Sequence, residues 1–173
     1  MVWIARSRLS APPTRPPGHG FPLGNIIHFA GHGQADPDDP SKSQLLLSDW
    51  QTNPLTVEDI ANLKLRTGHL AYLSACSTSR SRVDALLDEG IHLTEAFHLL
   101  GFPQVVGTLW SIQDEDSAEV APKIYTGLLD GDKVLSKKCA SALHYAVGEL
   151  RESTSDEMDD GPLLWSPYVH FGA

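Results

Sequence analysis

Two short apolar runs, each ending in residues that can do chemistry, constrain this chain more than anything else in it. The first, Ile26-Ile27-His28-Phe29-Ala30, stops at Gly31-His32-Gly33. The second, over 70–76, stops at Cys76, and the hydroxyl residues Ser77, Thr78 and Ser79 follow at once. Each reads as a buried strand that delivers a reactive side chain to the edge of a sheet, where a turn or loop begins. Glycines on both sides of His32 permit a sharp turn or a close approach of backbone to a ligand.

The segment between the two runs fixes how they relate. Residues 34–44 form an acidic, proline-containing loop, and Leu45-Leu46-Leu47 with Trp50 reads as a short strand or hairpin. Thr56 starts a helix, with Asp59 three positions on in an approximate capping box. Val57, Ile60 and Leu63 would face the core. A strand joined to another through such a crossover is parallel to it, and often its neighbour. His32 and Cys76 are therefore expected at the same carboxyl-terminal edge of one sheet, which is where open α/β sheets hold ligands.

The remainder continues the alternation. A polar stretch over 77–90 reads as a loop. Leu93, Ala96, Phe97 and Leu100 recur at helical spacing, and Gly101 with Pro103 stops that helix. Val105-Val106-Gly107-Thr108-Leu109-Trp110 is a third strand. Asp114 or Asp116 can cap a helix with Val120, Ile124 and Leu128 on its apolar face, which Pro122 should kink or shorten. A further helix is expected over 134–150, with Cys139 on its apolar face. An acidic loop over 156–160 precedes a final strand over 168–171. The order implies an α/β domain: a mostly parallel sheet with helices on both faces. Residues 1–24 contain five prolines within 10–24 and read as an irregular lead-in, so the domain proper covers 25–173.

Bulk properties narrow the function. A chain of 173 residues suits one domain that buries roughly 70% of its unfolded surface. A formal charge of −9 argues against nucleic acid or an anionic membrane as the main partner, since both need basic surface. No apolar run reaches the ~20 residues that span a bilayer. With only two cysteines no disulfide framework is on offer, and both thiols are expected to be reduced in a cytoplasmic protein.

His32 and Cys76 make the strongest chemical pairing. A cysteine nucleophile needs a base or cation nearby to lower its thiol pKa, and imidazole is the usual partner. On spacing alone a plainer reading stays open: a buried structural cysteine beside a turn histidine. His28 and His32 are four apart, but glycines and β-prone residues make that segment a strand. His28 is thus expected to pack or hydrogen-bond within the sheet, and no metal or other cofactor is expected.

The motifs His28-Phe29-Ala30-Gly31-His32-Gly33, Leu73-Ser74-Ala75-Cys76-Ser77-Thr78 and Val105-Val106-Gly107-Thr108-Leu109-Trp110 together resemble those of CHAT domains. These belong with the caspase, separase and gingipain group of cysteine peptidases. The likeness continues through Asp114, Tyr125 and Leu128-Leu129 to Trp165-Ser166-Pro167-Tyr168, and covers nearly all of 25–172. It implies a caspase-like sheet and a cysteine endopeptidase acting on a protein or peptide substrate. In that reading His32 is general base and acid, Cys76 forms a thioester acyl-enzyme, and the N–H groups of Gly33 and Cys76 face the oxyanion. Asp114 could line a pocket for a basic P1 side chain.

The resemblance also implies strands ahead of the histidine motif, and these first strands are expected to be missing. The histidine strand would then have a free edge, to be covered by a partner protein or by self-association. That expectation supports a second reading, an inactive CHAT-like fragment serving as an interaction or signalling module.

Overall fold

A computed structural model describes residues 2–6, 26–34, 36, 38–62, 68–77, 93–110, 112, 114–130, 133–134, 136–154 and 161–172. The stretches read as loops over 78–90 and 156–160, and Leu63 in the first helix, lie outside these residues.

A seven-stranded mixed sheet organises the described residues. Its centre is three parallel strands: β2 (Ile26–Gln34), β5 (Leu70–Ser77) and β6 (Gln104–Thr108). The crossover logic therefore holds, and β2 and β5 are neighbours. Antiparallel strands flank this centre. On one side lie β3 (Gln44–Leu46) and β4 (Leu55–Thr56); on the other β9 (Tyr168–Gly172) pairs with β6. The sheet is thus parallel in its middle, with the antiparallel strands β3, β4 and β9 beyond it.

Two sequence expectations are corrected here. The strand carrying His32 does not turn at Gly31-His32-Gly33 but continues extended to Gln34. The extension is held on both sides: His32, Gly33 and Gln34 pair with Leu46, Leu45 and Gln44 of β3, while Gly31 to Gly33 pair with β5. The second correction concerns the lead-in. Val2–Arg6 forms a strand, β1, parallel to β2, with Val2 opposite Ile26 and Arg6 opposite Ala30. The edge of β2 expected to be free is therefore lined by β1 over its first half and by β3 over its second. Five β-prone residues ahead of the prolines suffice for this, since the long connection between parallel strands can absorb any number of prolines.

Alternation along the strands sorts the core into two layers. Ile27, Phe29, Ala71, Leu73 and Val105 point to one face, where they pack with Ile60 of α1 (Val57–Ala61) and with Leu93, Ala96 and Phe97 of α2 (93–99). Ile26, Leu70, Tyr72 and Val106 point to the other. There they meet Val120, Ile124 and Leu128 of α3 (Asp114–Leu128), and Cys139, Leu143, Ala146 and Leu150 of α4 (Cys139–Thr154). Helices cover both faces, as expected.

Local signals explain the element ends. In α1, Thr56 Oγ1 accepts from the Asp59 N–H while the Thr56 N–H donates to the Asp59 carboxylate, a complete capping box. Helix α2 ends at Gly101 with φ 97°, a backbone region that favours glycine. There the N–H of Phe102 donates to Phe97 O and that of Gly101 to His98 O, a Schellman arrangement. The Phe97 and Phe102 rings close it at 5.9 Å. Gly107 has a different reason to be glycine: a Cβ there would lie 2.5 Å from Thr94 Oγ1 on α2.

Helix α3 runs through Pro122 to Leu128 without ending there. Pro122 sits on its exposed side, and burial of Val120, Ala121 and Ile124 around it outweighs the lost backbone bond. A small hairpin follows, β7 (Leu129–Asp130) with β8 (Lys133–Val134), where a helix beginning at 134 was expected. A closing helix, α5 (Gly161–Trp165), also went unread. It ties the end of β6 down: Trp110 Nε1 donates to Leu163 O at 3.1 Å, and the Leu109 N–H donates to Pro167 O at 2.9 Å. Arg151 lies 5.4 Å from the centre of the Trp165 ring, fixing α5 to α4.

Phe97 is fully buried, so Phe97→Ala should lower stability by about 3–5 kcal/mol. The exposed cap at Thr56 should cost only about 1 kcal/mol when replaced by alanine. Urea midpoints of the two variants check this ordering; an equal loss for both would contradict it.

Candidate functional site

The register of β2 against β5 builds the site. From Ile26 opposite Leu70, the two strands pair residue for residue to His32 opposite Cys76 and Gly33 opposite Ser77. Adjacent strands are about 4.8 Å apart. The candidate base and nucleophile are thus directly paired positions at the carboxyl end of neighbouring parallel strands. By alternation both positions fall on the face covered by α3 and α4, along with Ile26, His28, Ala30, Leu70 and Tyr72. His32 is exposed, and Gly33 beside it is buried between β3 and β5. The side chains of Cys76 and Asp114 lie outside what the structure describes. Asp114 is the first residue of α3, which starts after β6 has ended at Thr108, so its backbone belongs to the same sheet edge.

The histidine motif has a second member with a firm place. His28 is buried, and its Nδ1 is 2.8 Å from Tyr125 Oη, a hydrogen bond between β2 and α3. The His28 ring also packs 4.8 Å from Tyr72 and 5.7 Å from Tyr125. Burial pushes both phenols well above the usual tyrosine range, so both stay protonated. His28 thus packs within the sheet as expected, against Tyr72, but its hydrogen bond leaves the sheet for α3. The pairing was not legible: Tyr125 belongs to the family likeness, but it lies 97 positions away and nothing local ties it to His28. Ser74, two positions before Cys76, turns its hydroxyl to Phe29 O at 3.4 Å and stitches the two strands together.

Sequence reading also missed a recess on this face. A cavity of about 170 Å³ opens between β2 and α3, lined by Ala30 and His28 from the strand and by Ser117, Ala118, Pro122 and Tyr125 among the helix residues. A signal for it was present in the run of small residues Ser117, Ala118 and Ala121, spaced to face a strand that itself offers Ala30. Among the described residues, no group of three His, Cys, Asp or Glu side chains is placed to hold a metal ion. No helix among them is long and apolar enough to cross a membrane.

The other cysteine serves packing. Cys139 opens α4, is fully buried, and has its thiol pushed up to about 11 by burial.

Sheet and helices together define an α/β protein in which His32 and Cys76 are paired positions at the carboxyl ends of β2 and β5. The model of one family, the CHAT domain, matches residues 22–173. The chain therefore belongs to the CHAT domain family, which is related to the caspase-like cysteine peptidases. No curated protein matches it.

Because only a small fraction of Cys139 becomes thiolate below pH about 11, it should resist iodoacetamide in the native protein at neutral pH. It should react once urea unfolds the chain. Mass mapping of alkylated peptides checks this; native alkylation as fast as that of a free peptide thiol would contradict the burial.

Proposed function

We propose that the chain is a cysteine endopeptidase in which His32 and Cys76 form the catalytic dyad. The observation that carries this reading is their direct pairing across β2 and β5 at the carboxyl edge of the sheet. Membership of a peptidase-related family and the exposure of His32 support it.

In this mechanism the His32 imidazole takes the Cys76 proton, and the thiolate attacks the carbonyl carbon of the scissile peptide bond. The oxyanion that forms faces the N–H groups of Gly33 and Cys76, where one well-placed donor is worth about 3 kcal/mol. The C–N bond then breaks as His32 returns its proton to the departing amine, leaving a thioester on Cys76. Water, deprotonated by His32, attacks the thioester carbon; the acid product leaves and the thiol is restored. Asp114, opening α3 at the same edge, offers a carboxylate to a basic group of the substrate. A reducing compartment such as the cytoplasm keeps the thiol available.

Cys76→Ala and His32→Ala should each lower cleavage of a peptide library by at least about 10³-fold. Cys76→Ala should also abolish labelling by peptidyl electrophiles. Undiminished cleavage or labelling in Cys76→Ala would sink the dyad. A folded wild-type protein that cleaves no peptide would instead support the reading as an interaction or signalling module.

A further inference from the structure

We infer that the recess between β2 and α3 is a specificity pocket that receives an uncharged side chain of the substrate, aliphatic or aromatic and no larger than one ring. The inference rests on the peptidase reading and extends it to the class of residue recognised.

Continuity with the dyad comes first. The strand side of the recess is Ala30 and His28, two and four positions before His32 on the same face of β2. At about 3.3 Å per residue, the recess begins some 7 Å below His32. Ala30 is also the register partner of Ser74, two positions before Cys76. A side chain reaching down β2 from a peptide at the ends of β2 and β5 would meet this cavity two residues below His32.

Shape and chemistry then select the occupant. The walls are Ala30, Ala118, Ala121 and Pro122, together with the hydrogen-bonded pair Tyr125 and His28. Among the described residues lining it there is no carboxylate, lysine or arginine. The described lining offers a charged side chain no ion partner in exchange for lost water. An uncharged side chain suffers no such loss and gains burial against the alanines, proline and ring. The volume, about 170 Å³, sets the size limit, since about 150 Å³ of apolar cavity holds a benzene-sized group. Small residues on both sides keep the space open; a longer side chain at Ala30 or Ala118 would fill it.

The test is a position-scanning peptide library read by cleavage, with wild type and two variants that fill the recess from the exposed side of α3. Ala118→Trp adds an indole at the wall. Pro122→Phe adds a ring while restoring a backbone donor to the helix, which guards against a loss of folding. In wild type, one substrate position should favour uncharged side chains from valine to phenylalanine size at least 10-fold over Asp, Glu, Lys and Arg. Both variants should shift that position toward Gly and Ala, leaving the preferences at other positions and the iodoacetamide labelling rate of Cys76 unchanged. Cleavage in which no position responds to either variant overturns the pocket and leaves the peptidase reading standing. So does a responding position that prefers a charged side chain. Failure of wild type to cleave any peptide sinks the peptidase reading, and the pocket with it.

Discussion

Everything of functional interest here depends on the parallel pairing of β2 with β5. Backbone hydrogen bonding along eight consecutive register pairs, from Ile26 opposite Leu70 to Gly33 opposite Ser77, sets where His32 and Cys76 stand relative to each other. A one-residue slip would send every side chain of a strand to the opposite face. That slip is blocked by the core itself. Ile27 and Phe29 are buried on one face with Ala71 and Leu73, and Ile26 on the other with Leu70 and Tyr72. The placement of an exposed histidine is thus decided by apolar residues several positions away.

Helix α3 joins this frame to the chemistry at its edge. It starts beside the ends of the central strands, descends over β2, and is fixed to it by burial of Val120 and Ile124 and by the Tyr125–His28 bond. Its helical register is consequently locked to the strand that carries His32. The small residues of its first turns stand off from Ala30 and leave the recess, while the larger ones lower down seal the core. One helix therefore provides both a tight seam and a vacancy, according to side-chain size along its length.

Much of this was legible in the sequence wherever a pattern was local. The capping box at Thr56, the stop at Gly101 and the buried runs of β5 and β6 follow from short-range rules, and the crossover between β2 and β5 follows from handedness. What escaped was non-local or overridden. Gly31 and Gly33 permit a turn or a close approach of backbone to a ligand, yet pairing with β5, and at Gly33 with β3 as well, keeps them extended. Pro122 was expected to kink or shorten α3, but apolar burial on the opposite side carries the helix past it to Leu128. β1 was hidden because its five residues form a strand only by pairing with residues some twenty positions later. That His32 and Cys76 would stand at the same end of neighbouring strands was readable, because the crossover between β2 and β5 fixes it. The Tyr125–His28 bond and the recess were not, because they depend on which side chains meet across the helix–sheet seam.

The shared flank of β2 divides that strand into two regions with different origins of protection. Amides over 26–30 are sheltered by β1, whose contact depends on a distant part of the chain, whereas those over 32–34 are sheltered by β3, the next strand in sequence. Closing the short loop to β3 costs less entropy than bringing β1 back across its long connection. The half of β2 that holds His32 and Gly33 can thus form early and persist during local opening, independently of β1. Detachment of β1 would loosen the floor of the sheet while the end of β2 that holds His32 stays in place.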